Sequence, residues 1–256
     1  MHYTANEEWY LALTRRWAER LRAGGTAGTT HDPTPDIDFA QRVLGIQPGM
    51  RILDLAAGWG RTSLELVRRG YRVTALDLSP ELVQIGRERA AAAGLSLVFI
   101  QGTVRALPNI GPFDAVCAFY DDCLLSFETE ADNLAALAAV ARVLPAGGRL
   151  LFGTTDCPPV LPPCKTRQWR ERAETVVETI LFDAKTRIGT SIRCHRHDDG
   201  RVERFVRRRH HYQLEEVHAL LDRVGLRVTG AWCAYGESLP YGARAEGMVV
   251  AAIKHG

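Results

Sequence analysis

Between Arg51 and Thr154 short apolar runs alternate with segments in which apolar residues recur every three or four positions. That alternation predicts βαβ units and a parallel sheet. The runs 51–56, 71–77, 97–101, 113–119 and 149–154 are too apolar to leave one face in water, so helices are expected on both faces of the sheet. Ser79 followed by Pro80 marks a helix start and Gly94 its stop, and a second helix over 128–144 ends before Pro145, Gly147 and Gly148.

Ahead of this core, Trp9, Leu13, Trp17 and Leu21 recur every four residues with Tyr10 alongside, which gives an amphipathic helix one apolar face. The Gly-, Thr- and Pro-rich stretch 22–35 reads as an exposed connection. After the fifth strand the period changes. Segments 175–183, 188–196 and 202–210 read as extended, joined by turns at Lys185-Thr186-Arg187 and Asp198-Asp199-Gly200, and so predict an antiparallel insertion. A helix over 214–224 then leads into strands 226–234 and 247–253. The expected fold is a doubly wound α/β sheet of seven strands, mostly parallel with an antiparallel last strand, in one domain. Its parts are an amino-terminal helix and lid (1–36), the core (37–156), the insertion (157–212) and a closing helix with two strands (213–256).

Composition narrows the partners. With 256 residues, 46% hydrophobic and 24% charged, the chain can bury a sizeable core. A net charge of +2 spread through mixed segments gives no field for nucleic acid or anionic membrane, which favours a small-molecule partner. The first ten residues, with Glu7 and Glu8, lack the pattern of a signal peptide, and no apolar stretch approaches the ~20 residues that span a bilayer. Cys117, Cys123, Cys157, Cys164, Cys194 and Cys233 form no Cys-x-x-Cys pair and read as reduced thiols of a cytoplasmic protein.

The most informative stretch is Ile52-Leu53-Asp54-Leu55-Ala56-Ala57-Gly58-Trp59-Gly60-Arg61-Thr62, an apolar strand that breaks into a glycine turn and opens a helix. Ligands of doubly wound sheets sit beside such turns. Gly58 and Gly60 permit a sharp bend and close approach of a ligand. The next strand ends in Asp77, 77 − 54 = 23 residues after Asp54, where a carboxylate accepts both hydroxyls of an unphosphorylated ribose. A dinucleotide site wants a third glycine at the position held here by Ser63.

Together with the later landmarks Gly102 to Pro108, Gly111-Pro112-Phe113-Asp114-Ala115-Val116 and Arg142-Val143-Leu144-Pro145-Ala146-Gly147-Gly148, the stretch resembles the class I S-adenosylmethionine-dependent methyltransferases over roughly residues 40 to 155. The resemblance implies a Rossmann-like fold, S-adenosylmethionine as cofactor, and a cofactor site at Asp54, Ala56, Gly58, Trp59, Gly60, Asp77, Leu78, Thr103, Val104 and Phe119. Two positions depart from the family pattern. Ala56 stands where a glycine is common, and Thr103 where many members carry an acid that bonds the adenine amino group.

Methyl transfer from a sulfonium needs alignment and exclusion of water, and a base only where the acceptor must lose a proton. The edge after strand four offers Tyr120, Asp121 and Asp122, and the end of the insertion offers His210 and His211, which strand alternation puts on opposite faces. Asp156 could join Asp121 or Asp122 around Mg²⁺, but Cys157 stands where a third oxygen ligand belongs, so no metal is expected. Tyr10, Trp17, Tyr120, Trp169, Tyr235 and Tyr241 are candidate walls for a planar acceptor. Arg201, Arg204, Arg207, Arg208 and Arg209, interrupted by Glu203, read as a solvated hairpin, and Cys194-His195-Arg196-His197 as surface. Methylation of an oxygen or nitrogen of a small metabolite is the expected function, with carbon open. A nicotinamide-dependent oxidoreductase and a binding protein without turnover are the alternatives, and the inserted strands could pair two copies.

Overall fold

A computed structural model describes residues 4–26, 32–119, 123–154, 164–171, 174–236, 240–242 and 247–256. The helices are α1 (Ala5–Arg22), α2 (Thr34–Leu44), α3 (Arg61–Arg68), α4 (Pro80–Ala92), α5 (Glu130–Val143) and α6 (Leu214–Arg223). The strands are β1 (Arg51–Leu55), β2 (Arg72–Asp77), β3 (Val98–Gln101), β4 (Ala115–Ala118), β5 (Arg149–Thr154), β6 (Cys164–Glu171), β7 (Glu174–Asp183), β8 (Ile188–His197), β9 (Val202–His210), β10 (Leu226–Trp232) and β11 (Met248–Lys254). Seven strands form one sheet in the order β10-β11-β5-β4-β1-β2-β3, in which β11 runs antiparallel to both of its neighbours. Strands β6 to β9 form a separate antiparallel meander. The doubly wound sheet with an antiparallel last strand and an inserted sheet is therefore present.

Alternation explains why the central strands read as unbroken apolar runs. Val116 and Ala118 of β4 and Leu150 and Phe152 of β5 face one layer, packed with Leu137 and Val140 of α5 and Leu221 of α6. Ala115, Cys117 and Leu151 face the other, against Ile37, Phe39, Ala40 and Leu44 of α2. Each fully buried Val, Leu, Ile or Phe among them contributes about 1.5–3 kcal/mol.

Two elements differ from expectation. Helix α2 begins inside the stretch read as a connection, with Pro35 in its first turn and Gly45 closing it in the left-handed conformation. The insertion has four strands, because the polar and mostly exposed segment Cys164–Glu171 pairs along the whole of β7. Strand β1 stops at Leu55 since Ala56 takes φ 52°, a left-handed conformation that is costly for a residue with a Cβ.

Helix α1 lies across β9 and joins the two sheets. Asn6 donates to the Ser126 carbonyl (2.7 Å) and the Arg208 carbonyl (2.6 Å) and accepts from the Arg208 N–H (2.9 Å). Further along, Arg16 donates to Glu174 (2.6 Å) and to His195 Nδ1 (2.8 Å) and pairs with Glu203. His195 is 2% exposed, so this part of the expected surface cluster is an internal joint between helix and insertion. Among the described residues no helix is long and apolar enough to cross a membrane.

Candidate active site

A cavity opens at the carboxyl edge of β1, β2 and β4, roofed by α1. Its floor is the β1–α3 turn. Gly58 (φ 59°) donates its N–H to Asp77 Oδ2 at 2.7 Å, and Ser79 donates to Oδ1 at 2.8 Å. The Tyr10 hydroxyl reaches the same carboxylate at 2.9 Å from above. Asp77 is fully buried. Burial pushes its pKa up, and the donors from Ser79, Gly58 and Tyr10 oppose that shift by stabilising the charged form.

Ser63 explains its own departure from the three-glycine pattern. Its hydroxyl donates to Asp54 Oδ2 at 2.5 Å inside the core, where a glycine would leave the carboxyl without that donor. Burial still pushes the Asp54 carboxyl up to about 7, with Asp77 nearby adding to the effect. Between the ordinary carboxyl pKa and that value the folded protein holds a proton the unfolded chain has released, so stability from this site is present at low pH and is lost as pH rises toward and through 7. Asp54→Asn keeps the shape and is expected to raise the melting temperature at pH 8 by an amount worth up to a few kcal/mol, with little change at pH 4. Melting curves at both pH values check this, and an unchanged value at pH 8 counts against it.

Of the residues expected at the cofactor, Asp54, Ala56, Gly58, Trp59, Asp77, Leu78, Thr103, Val104 and Phe119 line the cavity. Gly60 is outside the lining. A Cβ there would overlap the Phe99 ring, so this glycine at φ 82° makes room for that ring at the head of α3. Tyr10 and Trp17 line the roof, with their rings edge to face at 6.5 Å.

The other expected side chains lie elsewhere. His210 stacks on Tyr212 at 4.4 Å, and His211 packs edge-on against Phe182 at 5.5 Å and over Gly189, so neither enters the cavity wall. The reason is register. The cavity-facing residue of β9 is Arg207; alternation turns His210, three positions on, to the opposite face, and His211 lies beyond the end of the strand, against Phe182 and Gly189. Trp169 lies between the guanidinium groups of Arg167 and Arg193, at 5.3 and 5.6 Å. Tyr235 donates its hydroxyl to the Ala118 carbonyl (2.8 Å) and fills the core beside Phe39, while Tyr241 packs at the margin of the core; all three lie outside the cavity lining. Tyr120, Asp121, Asp122, Asp156 and Cys157 lie outside the described residues. Among the described residues no group of three or more His, Cys, Asp or Glu is arranged to hold a metal ion.

Several lining residues escaped the sequence reading: Asn6, Glu7, Trp9 and Leu13 from α1, Cys123, Ser126 and Phe127 after β4, and Arg207. Arg207 is 9% exposed and stacks over Trp9 at 5.1 Å, so at this point the inserted hairpin is wall and not solvated surface. A signal for Glu7 was available. Thr4-x-x-Glu7 is a capping box, and both of its reciprocal bonds form.

Residues 52–148 match the family model described as a methyltransferase domain. A ubiquinone biosynthesis O-methyltransferase of Xanthomonas oryzae pv. oryzae is 32% identical over 153 residues, which cover 59% of this chain and 60% of that protein. The chain thus spans about three fifths of the length of these curated relatives. Among solved structures, the CcbJ methyltransferase of Streptomyces caelestis aligns over 99% of this chain and 100% of its own, with a TM-score of 0.78 at 16% identity. CalS10, an amino pentose methyltransferase from Micromonospora echinaspora involved in calicheamicin biosynthesis, aligns over 99% of this chain and 98% of its own, with a TM-score of 0.63 at 20% identity. At such identities the likeness is one of fold.

Proposed function

We propose that the protein, whose residues 52–148 match a methyltransferase-domain model and whose fold is that of methyltransferases, transfers the methyl group of S-adenosylmethionine to an oxygen or nitrogen of a small-molecule acceptor. The observation that carries the reading is Asp77. It is a buried carboxylate at the end of the second strand, steadied by two backbone N–H groups and facing a cavity. Such a group suits the two hydroxyls of a ribose. Asp54, Ala56, Trp59, Leu78, Val104 and Phe119 would hold the remainder of the cofactor.

When bound, the sulfonium supplies a methyl group that is already activated for displacement. The chain's own tasks are to align the acceptor and to keep water out. Trp9, Leu13 and Phe127 present apolar surface to the acceptor end, and Arg207 adds a cation held flat on Trp9. The base, where an acceptor hydroxyl needs one, is assigned to Asp121 or Asp122, which follow the cavity-lining Phe119 two and three positions on in sequence. A cytoplasmic setting, in which Cys117, Cys123, Cys164, Cys194 and Cys233 stay free thiols, belongs to the same proposal.

Titration calorimetry with S-adenosylhomocysteine and, separately, with a nicotinamide dinucleotide tests the reading. Binding of the first alone is expected; binding of the second alone returns the protein to the oxidoreductases. Binding of S-adenosylhomocysteine without methyl transfer to any member of a metabolite panel favours a binding protein. Pairing of two copies along β6, the end strand of the inserted sheet, is the proposed assembly. A solution mass of one chain overturns it.

A further inference from the structure

The segment that follows β3, Gly102-Thr103-Val104, lines the cavity without an acidic residue of its own. A carboxylate reaches that place from α1. Glu7 is 5% exposed and divides its two oxygens. Oε2 accepts from the Thr4 N–H at 2.8 Å, the Thr4 hydroxyl at 3.2 Å and Arg105 Nη2 at 2.7 Å, which ties it to the helix start and to a cation. Oε1 accepts the Thr103 hydroxyl, with only a long contact to Arg105 Nε at 3.4 Å. Burial works to raise the Glu7 pKa, but the bonds from Arg105, Thr103 and Thr4 outweigh it and hold the group lowered, hence charged.

The spacing along α1 fits a nucleoside. Glu7 and Tyr10 are three residues apart, about 4.5 Å along a helix. Neighbouring strands are about 4.8 Å apart. Tyr10 meets Asp77 at the end of β2 and Glu7 meets Thr103 just beyond β3, so the helix crosses the two strand ends in step with the sheet. A base attached to a ribose held at Asp77 extends toward β3. A carboxylate oxygen has two lone pairs; on Oε1 Thr103 occupies one, and the other meets only the long bond from Arg105 Nε at 3.4 Å, which a closer donor can displace.

Resting on the nucleoside reading above, we infer that Glu7 is the base-recognising residue, whose Oε1 accepts a hydrogen bond from the exocyclic amine of the cofactor's adenine. Thr103 is the positioning residue that aims this oxygen. A site built this way rejects a purine whose amine is replaced by a carbonyl oxygen, because two acceptors then face each other.

The test compares S-adenosylhomocysteine with S-inosylhomocysteine by calorimetry, on the full chain and on Glu7→Gln. The unaltered protein is expected to prefer the adenosyl ligand by at least about tenfold. In Glu7→Gln the preference falls to within about threefold, since a carboxamide can accept from an amine or donate to a carbonyl. Were Glu7 only a helix cap, both ligands would weaken together and the ratio would stay, which overturns the inference. Absence of any preference in the unaltered protein overturns it too. Thr103→Val, close to isosteric, gives a second reading should Glu7→Gln fail to fold: a severalfold drop in the ratio is expected, and an unchanged ratio refutes the role of Thr103 in aiming Glu7 and the inference with it. Failure of the unaltered protein to bind either ligand defeats the nucleoside reading itself and is thereby told apart.

Discussion

Asp77→Asn is expected to weaken S-adenosylhomocysteine binding by about 100-fold or more while the chain remains folded. Two ribose hydroxyls donating to a buried carboxylate are each worth about 1.5–3 kcal/mol as bonds to a charged group. Losing the charge weakens both, and each ~1.4 kcal/mol is a factor of ten. The carboxamide also sets its NH2 donor against the N–H of Gly58 or Ser79, each of which donates to an Asp77 oxygen in the unaltered protein. Part of the structural loss is offset because the neutral group no longer has to be buried as an anion, the main cause of the raised Asp77 pKa. Calorimetry reads the affinity and circular dichroism the fold. An affinity within threefold of the unaltered protein would remove ribose from this end of the cavity.

The largest expected effect on stability lies away from the ligand. Phe99 of β3 is enclosed between Gly60 at the head of α3 and Gly86 inside α4, and a Cβ at either glycine would overlap its ring. In an ordinary helix Gly→Ala gains about 1 kcal/mol. Here Gly86→Ala is expected instead to cost a net ~2–3 kcal/mol, because the ring can yield only by disturbing a packed layer. For a chain of this size that lowers Tm by roughly 5–10 °C. Adding Phe99→Leu should recover part of the loss. A melting temperature at or above that of the unaltered protein would show that the ring is free to move aside.

The parallel sheet was legible because both faces are buried: Leu150, Leu151 and Phe152 are all covered, and a strand covered on two sides has no polar alternation to hide behind. The ribose carboxylate was legible for a related reason, since few residues but a functional acid end such a strand. What stayed hidden followed from tertiary geometry. Strand β6 is polar and mostly exposed, so neither period marks it, and only its pairing with β7 makes it a strand. Helix α2 begins among prolines that read equally well as a loop. His210 and His211 were candidates because they close the insertion, but the residue of β9 that lines the cavity is Arg207, three and four positions earlier. Ser63 looked like a missing glycine, though it is a partner of Asp54, and Gly60 looked like a ligand contact, though it makes room for Phe99. Glu7 belonged to a capping box, and no one-dimensional pattern says that the same carboxylate also reaches Thr103 across 96 residues of chain.

Helix α1 is wall to the cavity along one side and backing to the inserted sheet along another, through Asn6 to Arg208 and through Arg16 to Glu174 and His195. This shared element restricts how the molecule can diverge. On the proposed function, a substitution in β9 that moves α1 moves Tyr10 and Glu7 with it, so acceptor range and donor affinity are expected to be coupled. Their dependence is measurable as a coupling energy in a double-mutant cycle between the two ends of the helix.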